Sequence, residues 1–130
     1  MLRALRSALR TEPSVRLAVL FGSLATGQGH ERSDVDLVVT LAHPSAAHVA
    51  ELTGRLEEQL GREVQLVRLE EAESTPLLMH EALERGRVLV DRDDQWPQLR
   101  SKLAVWRRRA AKAEPSLLDA MESLDDAAPG

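Results

Sequence analysis

Residues 20–40 read LFGSLATGQGHERSDVDLVVT. Gly22 and Ser23 close one apolar run, and two aspartates one residue apart, Asp34 and Asp36, open the next. On a strand, successive side chains point to opposite faces, so Asp34 and Asp36 project to one face while Val35, Leu37, Val39 and Leu41 fill the other. Residues i and i+2 lie about 6–7 Å apart, and carboxylates at that spacing can lean together around one or two hard divalent cations held about 3.5–4 Å apart. Oxygen donors without His or Cys favour Mg2+ or Mn2+ over Zn2+. Gly22 and Ser23 stand where a strand is expected to end and a short helix to begin. Free backbone N–H groups there, with the Ser23 hydroxyl, suit a phosphate chain, and Gly22 lets a ligand approach the backbone. A phosphate grip beside a metal pair is what nucleotidyl transfer from a nucleoside triphosphate needs: charge on the α-phosphate and leaving pyrophosphate is neutralised while both are positioned for in-line attack. Each half alone is ordinary, a turn with an N-cap serine or a solvated strand edge. Together, at a fixed spacing and in a strand–loop–strand context, they favour chemistry.

The surrounding elements must hold these groups in place. Leu2, Leu5 and Leu9 recur at helical spacing and predict a helix over 2–11. SVRLAVLFG predicts a strand ended by Gly22, the loop ATGQGHER follows, and DVDLVVTL predicts a second strand. Pro44 fits the first turn of a helix whose buried stripe is Val49, Leu52, Leu56 and Leu60, ending at Gly61. EVQLVRL (63–69) is a third strand. Thr75-Pro76 reads as an N-cap and first helical position of a helix that stops at Gly86, and RVLVD (87–91) is a fourth strand. Leu99, Leu103, Trp106 and Ala110 share a face of one C-terminal helix. Ser116 with Asp119 caps a second, carrying Leu118, Met121 and Leu124. This order predicts an α/β (α+β) domain, a small mixed sheet of about four strands with helices packed on one face.

Composition narrows the function classes. The chain has 130 residues, 43% hydrophobic and 29% charged, which suits one globular domain with a real core. No apolar run reaches membrane-spanning length, and MLRALRSALR is too polar for a signal-peptide core. The absence of cysteine removes thiolate chemistry and disulfides and makes the cytoplasm the expected compartment. A net charge of −4 argues against broad nucleic-acid binding. Arginine far outnumbers lysine, and Ile, Asn and Tyr are missing, a usage expected of a GC-rich bacterial genome. Arg100, Lys102, Arg107, Arg108, Arg109 and Lys112 make a basic C-terminal helix followed by acidic residues from Glu114 to Asp126. That pattern reads as a solvated face or as a docking surface for a charged partner. Trp96 and Trp106 are expected as core or interface anchors. His30 and Arg32 lie in the loop between the two motif halves, either as part of a solvated polar loop or where they could touch a triphosphate, whereas His43, His48 and His80 have no metal-like spacing.

GSLATGQGHERSDVDLVV resembles the signature of the DNA polymerase β-type nucleotidyltransferase superfamily in its smallest form, the MNT (minimal nucleotidyltransferase) proteins. GREVQLVRL resembles the family's third active-site strand, and TPLLMHEALERGRVLVDRD the helix and strand that close the minimal fold. The resemblance implies a minimal nucleotidyltransferase domain over 1–94 with a C-terminal helical extension over 95–126. It implies Gly22 and Ser23 for nucleotide binding, Asp34 and Asp36 as catalytic metal ligands, and Mg2+ (or Mn2+) with ATP as substrate. Relatives usually carry a third aspartate on the strand that here reads EVQLVRL. This chain has Gln65 at the matching position, which cannot act as a base and is a poor Mg2+ ligand. The next acidic position matches Arg68, and Thr26 stands where relatives often have arginine before the loop glycine. Glu63, Glu70 and Glu71 are the nearby carboxylates that could substitute.

MNT proteins of this size commonly pair with a HEPN-domain ribonuclease toxin. The resemblance therefore implies an antitoxin that transfers AMP from ATP to a tyrosine of that toxin, an acceptor this tyrosine-free chain must find on its partner. The alternative is a catalytically weakened or inactive MNT-fold antitoxin that neutralises the toxin by binding, with Gln65 as the feature in its favour. A small-molecule nucleotidyltransferase of the aminoglycoside type is a third reading, and would need a second subunit to complete its pocket. No membrane and no direct nucleic-acid contact are expected, and the C-terminal helices offer a surface for homo- or hetero-oligomers.

Overall fold

The runs VRLAVLF and VDLVVTL, rich in β-branched and leucine residues, pair as the antiparallel centre of a sheet, β1 (Val15–Phe21) and β2 (Val35–Leu41). The computed structural model describes residues 1–30 and 33–113. β3 (Val64–Arg68) runs parallel to β2, and β4 (Arg87–Asp91) runs antiparallel to β1, giving the strand order β3-β2-β1-β4. The mixed four-stranded α/β fold expected from the sequence is the one observed.

The helices, however, cover both faces of this sheet. On one face α1 (Leu2–Arg10) and α2 (Ala46–Leu60) bring Leu5, Leu9, Leu52 and Leu56 onto Ala18, Leu20, Val35, Leu37 and Val39. On the other, α3 (Leu69–Glu73) and α4 (Pro76–Arg85) bring Ala72, Met79, Ala82 and Leu83 onto Leu17, Val19, Phe21 and Val38. The expectation of helices on a single face is thereby corrected, and β1 shows why. Six of its seven residues are buried, because Leu and Ala fill the positions between its valines as fully as the valines themselves. A strand so apolar on both sides needs cover on both.

Local sequence explains the helix ends. Ser45, not Pro44, is the N-cap of α2, its Oγ accepting the His48 N–H at 3.2 Å, so Pro44 lies just outside the helix. Gly61 closes α2 in the left-handed region (φ 65°). Pro76 is the first residue of α4 as expected, but the Thr75 side chain makes no cap bond to it. α3 was not foreseen: the end of the run EVQLVRL passes into a short helix with Glu70 and Glu71 in its first turn, where acidic residues suit the helix dipole. The first C-terminal helix is two pieces, α5 (Gln95–Arg100) and helical residues 103–113. Ser101 breaks the continuity, its Oγ donating back to the Gln98 carbonyl at 2.6 Å. Trp106 still reaches the second core, with Leu99 and Leu103 packed against it, and Ala110 is buried; the Arg109 guanidinium lies 4.8 Å from the Trp106 ring centroid. The second expected C-terminal helix, with Ser116, Leu118, Asp119, Met121 and Leu124, lies outside the described residues.

Candidate functional site

β1 ends at Phe21, and the backbone turns sharply at Gly22, whose φ of 78° is in the left-handed region. Residues 23–27 form hydrogen-bonded turns rather than the short helix expected there. The Ser23 carbonyl accepts from the Gln28 N–H at 3.0 Å and from Thr26 Oγ1 at 3.2 Å, so its acceptor capacity is not spent on the residue-27 N–H that an α-helix would present. The Ala25 N–H donates to the Gly22 carbonyl at 3.1 Å, tightening the turn. Ser23 is exposed, and Leu24 folds back over Gly29, where it fills the space a Cβ would occupy.

The two motif halves meet. Phe21 pairs with Asp36 across the β1–β2 ladder, and a Cβ built on Gly22 would stand 2.7 Å from Asp36 Oδ2. The glycine backbone thus packs directly against the carboxylate, with no room for any side chain. Asp34 is exposed just before β2, and Asp36 is half-buried within it. Burial pushes the Asp36 carboxyl above the usual aspartate range, and the charges of Asp34 and Glu81 push it the same way. A negative site strained in this way suits a cation: its donors are carboxylate oxygens, the type hard divalent ions take. Among the described residues no three Asp, Glu, His or Cys side chains stand close enough together to hold a metal ion.

The chain entering β2 is fixed from the α2–β3 side. Arg62 Nη1 donates to the carbonyls of His30 (2.8 Å) and Ser33 (3.2 Å), and the His30 N–H donates to Ser33 Oγ at 2.9 Å. The Val35 N–H donates to the Glu63 carbonyl at 2.8 Å. Arg62 was missed by sequence reading because a single arginine after a helix carries no motif. Arg32 lies outside the described residues.

On β3, Gln65 sits directly beside Asp36 in the parallel register and is exposed. Glu70 and Glu71 are tied to Arg68 at 3.5 and 2.6 Å at the far end of the strand, away from the aspartates. Glu63 is exposed ahead of β3. The carboxylate whose charge reaches Asp36, besides Asp34, is Glu81 of α4. Sequence reading missed it, since an exposed glutamate on an amphipathic helix looks like solubility.

The sequence model described as polymerase beta, nucleotidyltransferase matches residues 3–95. No curated protein matches the sequence significantly. Among solved structures, the chain is similar to a toxin–antitoxin with AMP-PNP, at 25% identity over 92% of this chain and 98% of that one, with a TM-score of 0.72. It is similar to a mutant of the toxin–antitoxin MntA-HpeT at 26% identity, 88% and 93% coverage, and a TM-score of 0.69. A third likeness, at 23% identity, 93% and 99% coverage and a TM-score of 0.67, is to a structure of the tri-AMPylated Shewanella oneidensis HEPN toxin in complex with MNT antitoxin, and shows the shared fold.

Proposed function

The chain belongs to the polymerase beta nucleotidyltransferase family, and on that premise we propose that it is an MNT antitoxin that transfers AMP from ATP, with Mg2+, to a tyrosine of a partner HEPN ribonuclease toxin. The observation that carries this reading is the contact between the motif halves, Gly22 lying against Asp36 Oδ2. Similar structures of toxin–antitoxin pairs, one with AMP-PNP and one with an AMPylated toxin, support the nucleotide and the acceptor. Gly22 and Ser23 bind the triphosphate, the first by giving a ligand access to backbone, the second through an exposed hydroxyl. Asp34 and Asp36 would hold Mg2+ (or Mn2+), completed by oxygens from outside the protein. When bound, the ion supplies charge neutralisation at the phosphates. No helix among the described residues is long and apolar enough to cross a membrane. We place the reaction in the cytoplasm, where ATP, Mg2+ and the toxin's RNA substrates are found together.

Gln65 beside Asp36 favours a second reading, an antitoxin that neutralises by binding alone. The two separate in one experiment. The chain is incubated with Mg2+, ATP labelled at the α-phosphate and a candidate HEPN toxin, and label on the toxin is counted. Transfer by wild type and none by Asp34→Ala/Asp36→Ala is the expected result. No transfer by wild type, with toxin neutralisation undiminished in the double variant, would contradict it.

A further inference from the structure

β2 carries the aspartate site at its start, and a separate cavity opens beyond its other end. There β2 and β3, the parallel pair of the sheet, run out together, and ligand crevices of open α/β sheets lie outside the carboxyl ends of such strands. The cavity has a volume of about 220 Å3. That is below the roughly 300–1,000 Å3 of sites for drug-sized molecules and suits a single long side chain. Its apolar walls are Val39 and Leu41 of β2, Pro44 of the following loop and Leu69 of α3. Its polar lining is Thr40, Arg68, Glu70 and Glu73.

These polar groups are not equivalent. Arg68 is already engaged: its Nε donates to Glu71 Oε1 at 2.6 Å and its Nη1 to the Pro44 carbonyl at 3.1 Å, so the guanidinium braces the wall. Glu70 is exposed and reaches Arg68 only at 3.5 Å. Among the described residues Glu73 makes no hydrogen bond and no ion pair. Two carboxylates therefore line the cavity with one guanidinium that Glu71 already neutralises, and the balance is negative. Thr40 adds an unmet bond, since its Oγ1 is buried with no hydrogen-bond partner among the described residues. A buried polar atom in that state carries a desolvation cost that a donor from another molecule would offset.

We propose that this cavity is the docking site for an arginine side chain projecting from a partner protein. The methylene stem lies along Leu41, Pro44 and Leu69, as long basic side chains bury their stems on apolar surface. The guanidinium presents five N–H donors in a fixed fork, enough to serve the Glu73 carboxylate and Thr40 Oγ1 together. Glu70 attracts the same charge from the rim. A lysine ammonium is a compact point charge and matches this spread of acceptors less well. The site lies at the opposite end of β2 from Asp34 and Asp36, and it does not depend on the nucleotide reading.

The test is a titration of the full isotope-labelled chain with a capped glycine-arginine-glycine peptide, followed by amide NMR. Parallel titrations use the same peptide with citrulline, the neutral isostere of arginine, or with lysine. Saturable shifts confined to residues 39–43 and 68–73 are expected with the arginine peptide, at a Kd on the order of 1–10 mM. Citrulline and lysine peptides are expected to bind at least about fivefold more weakly, and Glu73→Gln to weaken the arginine peptide by a similar factor. Thr40→Val is expected to weaken it about threefold in a chain that melts no lower than wild type, because the lost hydroxyl had no partner. Shifts that do not saturate or that scatter over the surface overturn the proposal. Equal binding of the citrulline or lysine peptide does so too, as does full affinity in Glu73→Gln or Thr40→Val. Each of these results leaves the transferase reading standing.

Discussion

Gly22 and Asp36 are fourteen residues apart in sequence and in contact in space, and each constrains the other. Gly22→Ala would place a methyl group 2.7 Å from Asp36 Oδ2 at a left-handed φ of 78°. It is expected to cost about 1–2 kcal/mol from the backbone alone, measured by urea unfolding, with additional loss from the displaced carboxylate. Asp36 is expected to behave oppositely. Its carboxyl holds a proton to higher pH in the folded chain than in the unfolded one, so that preference stabilises the fold below the ordinary aspartate range and is lost as pH rises through it. Without divalent cation, Asp36→Asn is therefore predicted to melt a few °C above wild type near pH 7, the gap closing toward about pH 4. Thermal melts at the two pH values check both the sign and its pH dependence. Much of the site was legible at this scale, because two small residues and two acids at a fixed spacing form a pattern that survives loss of context. Arg62 was not, because its relevance comes only from the turn after α2 that carries it to the loop before Asp36.

The strands and the larger helices follow from periodicity, and their ends from Gly61, Ser45 and Pro76. What periodicity could not convey is where the helices go. VRLAVLF reads as alternation only if Ala18 and Leu20 are treated as the weaker side, yet both are fully buried. That burial is the physical reason α1 and α2 occupy one face while α3 and α4 occupy the other. The seam between α4 and β1 is tight at Gly86, where a Cβ would meet the Ala82 carbonyl and Val19 Cγ1. Gly86→Ala is predicted to destabilise the fold by about 1–3 kcal/mol, as overpacking does, and to shift the C-terminal half of α4, where Glu81 and Arg85 lie. Amide hydrogen exchange should show lost protection concentrated in α4 and β4. Uniform loss across the sheet would indicate that the seam is not the point of failure.

The whole molecule is a two-faced sheet with its candidate site at one end, where Gly22 and the start of β2 adjoin. The far core is closed in part by the helical stretch 103–113 through Leu103 and Trp106, so that stretch is part of the fold's packing. Trp106→Ala is expected to cost about 3 kcal/mol or more, seen as a drop in the urea midpoint, because the ring is buried against the second core. Arg107 and Arg108 face outward from the same helical stretch, and replacing both by glutamate should leave folding intact while weakening any contact with an acidic partner surface, measured by co-purification with the HEPN protein. The central claim is that Gly22–Ser23 and Asp34–Asp36 form one Mg2+-dependent nucleotide site. Calorimetric titration of AMP-PNP into wild type and Asp36→Asn, with and without Mg2+, tests it most directly. The account predicts wild-type affinity that rises at least tenfold with Mg2+ and a variant that gains little from the ion. Equal Mg2+-dependent binding by both proteins would contradict it.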